Sequence, residues 1–182
     1  MLITIPDLER GPLAFDVSLA QGEMEYSEEV QQSGPVHVEG RAEVLQEHRG
    51  PREIVPDIRL RAKYAGKFEV ACARCLEPVE YSLKGDFDLI FRPLGVDGGA
   101  SEHSITTDET EIGYYQKSGL VLEDVLREQV LLSLPARTLC RQDCKGLCPR
   151  CGRNLNSEEC TCDAAVVDPR WSALSDLSRI KS

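Results

Sequence analysis

The distribution of cysteine constrains this chain more than any other feature. The sequence holds eight cysteines in two separated groups. Cys72 and Cys75 form a lone CxxC. The other six lie in one stretch, CRQDCKGLCPRCGRNLNSEECTC, from Cys140 to Cys162. Eight thiols in two groups fill two four-ligand metal sites with none left over. Structural zinc is tetrahedral and takes four Cys or His ligands, usually delivered as close pairs. Pro149 stiffens the turn between Cys148 and Cys151, and Gly152 can take the positive φ that closes it.

Locality groups Cys148, Cys151, Cys160 and Cys162 as one site, because the linker from Gly152 to Glu159 can loop round an ion and return. The remaining ligands are Cys72, Cys75, Cys140 and Cys144, which would tie the middle of the chain to its tail. The CxxxC spacing sets Cys140 and Cys144 about one helical turn apart. An exchange of Cys140 or Cys144 with Cys148 or Cys151 stays open at this point. The expectation is two structural Zn²⁺ per chain. Disulfides would need an oxidising compartment. Iron–sulfur ligation also uses four cysteines, and spacing alone does not exclude it. A thioredoxin-like CxxC would sit in a βαβ pattern, whereas Cys72 ends an alternating, strand-like run.

Most of the body reads with a period of two. Alternating apolar residues run through Leu13–Leu19, Val36–Val44, Ile54–Tyr64, Phe68–Cys72 and Val79–Phe91. Glu23 to Ser33 reads as a loop or exposed edge. Gly40 and Gly85 suggest bulges, Pro56 an edge, and Ala65-Gly66 a turn. Short connections imply antiparallel pairing, with the first CxxC at a hairpin tip. Gly95 to Glu109 reads as a mobile acidic loop, and Ile112 to Tyr115 as a short strand. The period then changes. Leu122, Val125, Leu126, Val130 and Leu134 predict a helix over 120–134, stopped by Pro135. Asp168 and Pro169 are a good N-cap and first helical residue for a short C-terminal helix carrying Trp171, Leu174 and Leu177.

The expected class is α+β: a mainly antiparallel meander or open barrel with one packed helix, a cysteine-rich zinc module and a short C-terminal helix. The expected division is a β-rich domain over 1–135 and a zinc-binding tail over 136–182.

The formal charge is −10, and two zinc–tetrathiolate sites would take it to about −14. Such a chain does not coat nucleic acid by general electrostatics, but it can attract a basic partner. One local exception is the run with Arg137, Arg141, Lys145, Arg150 and Arg153 against Asp143. That patch can meet phosphate or offset the thiolates it surrounds. No secretory signal or membrane-length apolar run is visible, so a cytoplasmic protein is expected. Only three histidines occur, none near a Ser or Cys in a recognisable nucleophile setting, and there is no phosphate-cradling glycine loop. All-cysteine sites are typically closed rather than catalytic. The chain reads as a non-enzyme, with a thiol-based redox or metal-responsive regulator as the alternative to a structural binding factor.

Val70-Ala71-Cys72-Ala73-Arg74-Cys75-Leu76-Glu77-Pro78, the run from Leu120 to Pro135, and CKGLCPRCGRNLN from Cys144 to Asn156 together resemble the YceD family, the large ribosomal RNA subunit accumulation proteins. The Asp168-Pro169-Arg170-Trp171 ending is similar too. The resemblance implies a non-enzymatic role in 23S rRNA accumulation and large-subunit assembly. It maps the family's cysteine motifs onto Cys72, Cys75, Cys140, Cys144, Cys148 and Cys151. The expected partners are a ribosomal precursor, a basic ribosomal protein or an rRNA-processing enzyme. Arg141, Lys145, Arg150 and Arg153 are the expected RNA contacts.

Overall fold

Strand-period burial along one long central strand organises the architecture. The computed structural model describes residues 1–48, 54–96, 112–116 and 118–162. In chain order the elements are β1 (Leu2–Ile3), α1 (Ile5–Glu9), β2 (Leu13–Leu19), β3 (Val30–Gln32), β4 (Val36–His48), β5 (Ile54–Ala71), β6 (Pro78–Pro93), β7 (Ile112–Tyr115), β8 (Leu120–Val121) and α2 (Leu122–Ser133). The large sheet runs β2-β4-β5-β6-β7, with β3 also on β5. Pairing is antiparallel throughout except for β7, which lies parallel to β6. β1 and β8 form a separate two-stranded ribbon.

Ile58, Leu60, Ala62, Tyr64, Phe68 and Val70 of β5 face the core. There they join Leu122, Val125, Leu126 and Val130 of α2 in one apolar cluster. The Tyr64 hydroxyl donates to the Gln129 carbonyl at 3.1 Å, pinning β5 to the helix. The alternate residues Arg59, Arg61 and Lys63 lie on the other face. Arg59 forks onto Asp88 at 2.8 and 2.7 Å, and Arg61 reaches Glu43 at 3.0 Å. Both arginines are already paired with acids, so this face is no bare basic surface.

The sheet is open: among the described residues β2 and β7 end its path and do not pair. Several other expectations are corrected. Ala65-Gly66 is no turn, because β5 continues through it, with Ala65 opposite Lys84 and Gly66 opposite Leu83. Gly40 and Gly85 mark no bulges. Gly40 keeps register with both Phe15 and Ala62, and Gly85 with Tyr64. They mark close approach instead. A Cβ at Gly40 would lie 2.3 Å from the Arg61 carbonyl oxygen, and one at Gly85 would lie 2.6 Å from the Tyr64 ring. Pro56 belongs to the central strand, paired with Gln46, but the pairing with β6 runs only from Ile58 onward. The proline therefore sits where one side of β5 needs no donor. The helix begins at Leu122 rather than residue 120, because Leu120 and Val121 pair with Ile3 and Leu2.

A buried ion pair closes the end of β5. Arg92 grips Asp57 through two bonds of 3.2 and 2.8 Å, with both side chains almost fully buried. Beside it the Tyr115 hydroxyl donates to the Pro56 carbonyl at 2.7 Å, tying β7 to β5. The C-terminal helix expected after Asp168, and the acidic loop beyond Val96, lie outside the described residues. No helix among the described residues is long and apolar enough to cross a membrane.

Candidate metal centre

The turn between β5 and β6 carries the first CxxC. The Leu76 N–H donates to the Cys72 carbonyl at 2.9 Å, and the Cys72 N–H donates to the Glu77 carbonyl at 2.9 Å. This tight loop points both sulfurs to one side. The second CxxC repeats the pattern. The Gly152 N–H donates to the Cys148 carbonyl at 2.9 Å, and the Cys148 N–H donates to the Arg153 carbonyl at 2.8 Å. Sequence spacing therefore builds the same turn twice.

The structure brings the eight cysteines into two quartets. The sulfurs of Cys72, Cys75, Cys140 and Cys144 all lie within 4.8 Å of one another, as do those of Cys148, Cys151, Cys160 and Cys162. This is the grouping that locality favoured, with no exchange between sites. Cys140 and Cys144 lie in irregular backbone either side of a short turn rather than on a helix, with the Cys144 N–H on the Arg141 carbonyl at 3.2 Å.

The donor sets suit a tetrahedral ion. Sulfurs 2.3 Å from a central zinc would be about 3.8 Å apart. The Cys72–Cys144 and Cys75–Cys140 separations are 3.8 and 3.6 Å. In the other quartet Cys151–Cys160 and Cys148–Cys160 are 3.6 and 3.4 Å apart. All these exceed the roughly 2 Å of a disulfide bond. Two four-cysteine clusters that could hold metal ions are thus in place.

The quartets differ in depth. Cys72, Cys75 and Cys144 are buried and pack with Val79, Leu139 and Leu147 into a small apolar cluster of their own. In the outer quartet Cys148 is buried, while Cys151 and Cys162 are exposed. The two are tied together and to the sheet. The Leu147 N–H donates to the Arg74 carbonyl at 3.1 Å, and the Ala73 N–H to the Thr138 carbonyl at 2.8 Å. The Arg74 guanidinium donates to the Cys144 carbonyl at 2.7 Å, and the Asn154 amide to Glu77 at 2.8 Å.

Hydrogen bonds sort the thiols. Burial alone would raise Cys72, but N–H groups of Cys75, Cys140 and Arg74 outweigh it and bring the thiol down to about 6. The Cys151 and Arg150 N–H groups bring Cys148 down to about 6 as well. Burial and the neighbouring thiols push Cys140 up to about 12, and the Cys160 and Cys151 thiols push Cys162 up to about 12. Four converging sulfurs resist joint ionisation unless a cation balances them. The Asn156 amide, 3.3 Å from the Cys144 sulfur, is an outer-shell donor that cysteine spacing does not reveal.

The basic run is only partly available. Arg141 lies 3.6 Å from Asp143, and Arg153 lies 3.8 Å from Glu158. Among the described residues Lys145 and Arg150 are exposed and form no ion pair. A third group, Asp16, His37 and Glu39, also converges, but all three residues are exposed.

The family model described as large ribosomal RNA subunit accumulation protein YceD matches residues 60–178. The chain belongs to the YceD family. The match takes in β5 from Leu60 onward, the first CxxC, α2 and the whole cysteine-rich stretch. An uncharacterized protein of Mycobacterium tuberculosis is 37% identical over 106 residues, covering 58% of this chain and 48% of that protein. One of Mycobacterium leprae is 31% identical over 107 residues, covering 58% and 46%. A chloroplastic protein of Arabidopsis thaliana, named large ribosomal RNA subunit accumulation protein YCED homolog 1, is 35% identical over 52 residues, covering 29% and 16%. The matched regions span about half the length of the mycobacterial relatives or less. No solved structure matches significantly. The YceD name links the family to large-subunit ribosomal RNA and to no known enzyme class.

Proposed function

We propose that this chain is a non-enzymatic, zinc-binding factor that supports 23S rRNA accumulation and large ribosomal subunit assembly in the cytoplasm. The observation that carries the reading is the family match across the segment that builds both cysteine quartets. Zinc fits the all-sulfur donor sets, and four-cysteine sites leave no open position for a substrate. The metals act as staples for a tail that has almost no apolar core of its own. The acidic body favours a basic protein partner. Lys145 and Arg150, exposed beside the outer quartet, are the side chains best placed to meet phosphate.

The test is depletion of the protein in its own cell, followed by the ratio of 23S to 16S rRNA. A lowered ratio, restored by the wild-type chain but not by a Cys72→Ser variant, is expected. An unchanged ratio would overturn the reading. Capture of the tagged chain with and without nuclease then separates protein contact, which survives digestion, from RNA contact, which does not.

A second reading, a thiol-based regulator, draws on the exposure of Cys151 and Cys162. It predicts reversible zinc release by peroxide, accompanied by a change in binding.

A further inference from the structure

The two quartets offer their sulfurs to solvent unequally. In the inner one Cys72, Cys75 and Cys144 are buried and share an apolar cluster with Val79, Leu139 and Leu147. Cys140 is the inner member within reach of solvent, and the sulfur beside it, Cys75 at 3.6 Å, is only 4% exposed. In the outer quartet Cys151 and Cys162 are exposed and Cys160 is half-buried. Among the described residues no apolar cluster packs around these four. Cys160 lies 3.6 Å from Cys151 and 3.4 Å from Cys148. A disulfide needs such a pair to close to about 2 Å. Cys160 sits in irregular backbone and can make that shift. Cys75 cannot make it without disturbing the cluster in which it packs.

We propose that the outer quartet is a peroxide-sensitive clasp: oxidation joins Cys151 to Cys160 and releases the outer zinc, while the inner site stays closed. The inference rests on the zinc-binding reading above and narrows its regulatory alternative to one quartet and one pair of sulfurs. Hydrogen peroxide is the two-electron oxidant. The exposed Cys151 thiolate attacks one peroxide oxygen, the O–O bond breaks and hydroxide leaves, giving a sulfenic acid. The Cys160 thiolate then attacks that sulfur, the S–S bond forms and a second hydroxide leaves. Two protons from solvent turn both hydroxides into water. The sulfurs lose the two electrons that the peroxide gains, and the zinc keeps its charge. Only Cys148 and Cys162 then remain as ligands, too few for a closed tetrahedral site.

What opens is confined to the outer module. Its own ties are the Leu155 N–H on the Gly146 carbonyl at 2.9 Å and the Cys148 N–H on the Arg153 carbonyl at 2.8 Å. Cys144, just before it, stays anchored in the inner quartet. Arg150 lies inside the outer CxxC and is exposed, so the placement of this cation depends on the oxidation state of the quartet. The sheet and α2 keep their core, which includes none of the outer cysteines.

The test uses the full, zinc-loaded wild-type chain. Its zinc content is measured first, and hydrogen peroxide is then added with a chromogenic zinc indicator present. About half of the bound zinc is expected to be released. Peptide mass mapping should show a bridge between Cys151 and Cys160, with Cys72, Cys75 and Cys144 still thiols. Trypsin should cut faster after Arg150 and Arg153 while far-ultraviolet circular dichroism stays unchanged. Dithiothreitol with added zinc should restore both the metal and the resistance. Release of all the zinc in one phase, retention of all of it, or a first bridge between Cys75 and Cys140 would overturn the proposal. So would a bridge between two chains, or one confined to another outer pair. A chain that carries no zinc before peroxide is added would overturn the zinc reading itself, so the two failures are told apart.

Discussion

Leu76 and Gly152 occupy equivalent places, each directly after the second cysteine of a CxxC. Their φ angles are 61° and 72°. Each donates its N–H to the carbonyl of the first cysteine at 2.9 Å. The turn demands the left-handed region, and glycine meets that demand at one site but not the other. A side chain there costs about 1 kcal/mol. Gly152→Ala should therefore destabilise the metal-loaded protein by about 1 kcal/mol. The added Cβ would meet no atom within 4 Å, so the cost is conformational. Leu76→Gly should relieve comparable strain in the first turn. Equilibrium denaturation of both variants checks this, and a neutral Gly152→Ala would show that the turn tolerates a side chain.

Acid should empty the quartets. Metal binding requires thiolates, so affinity falls as protons compete. Cys72 and Cys148 are depressed from 9.0 to about 6. For a depressed group the stabilising contribution is fully present above the unfolded value. It is lost as pH falls through the folded one. Zinc should be retained at neutral pH and released progressively as the pH falls and protons compete for the thiolates, followed with a chromogenic zinc indicator. The exposed outer quartet should empty first. Release that does not vary with pH would contradict thiolate ligation.

Removing one member of the buried ion pair should be more damaging than any surface change. Arg92→Met leaves the Asp57 carboxylate buried without its main partner, at a cost of about 3–5 kcal/mol. Breaking the surface pair with Asp88→Asn should cost about 1 kcal/mol or less, since Arg59 and Asp88 are both partly in solvent. Thermal or urea unfolding separates the two. Equal effects would mean that the pair at the end of β5 is not desolvated in solution.

Gly40→Ala should destabilise the sheet by at least about 1–3 kcal/mol, the usual cost of overpacking. The added methyl would meet the Arg61 carbonyl at 2.3 Å and the Phe15 ring at 2.7 Å. Both belong to strands paired with β4. A stable Gly40→Ala variant would show that β2 can shift to accept it.

The strands and the cysteine grouping were legible because each follows from local chemistry. Period-two alternation marks Phe68 and Val70 as buried, and the short linker after Gly152 leaves Cys160 and Cys162 little choice of site. The glycines misled because a lone glycine in a strand pattern signals either a bulge or close approach. Only the position of Phe15 or Tyr64 on a neighbouring element decides which. β1 has two residues and no period, and its partner Val121 lies more than a hundred residues away. Asp57 and Arg92 meet through register alone, so neither stands out in its own segment. Thr138 gives no sequence sign of being buried, since the CxxC turn it packs beside, through the Ala73 N–H on its carbonyl, is distant in sequence.

Metal content of the full chain, purified without chelator, tests the central claim most directly. Elemental analysis should find about two zinc per chain in a colourless sample, one for each four-cysteine cluster. Cys72→Ser and Cys160→Ser should each lose about one of them. Iron with visible absorption, or a protein that carries no metal, would contradict the account.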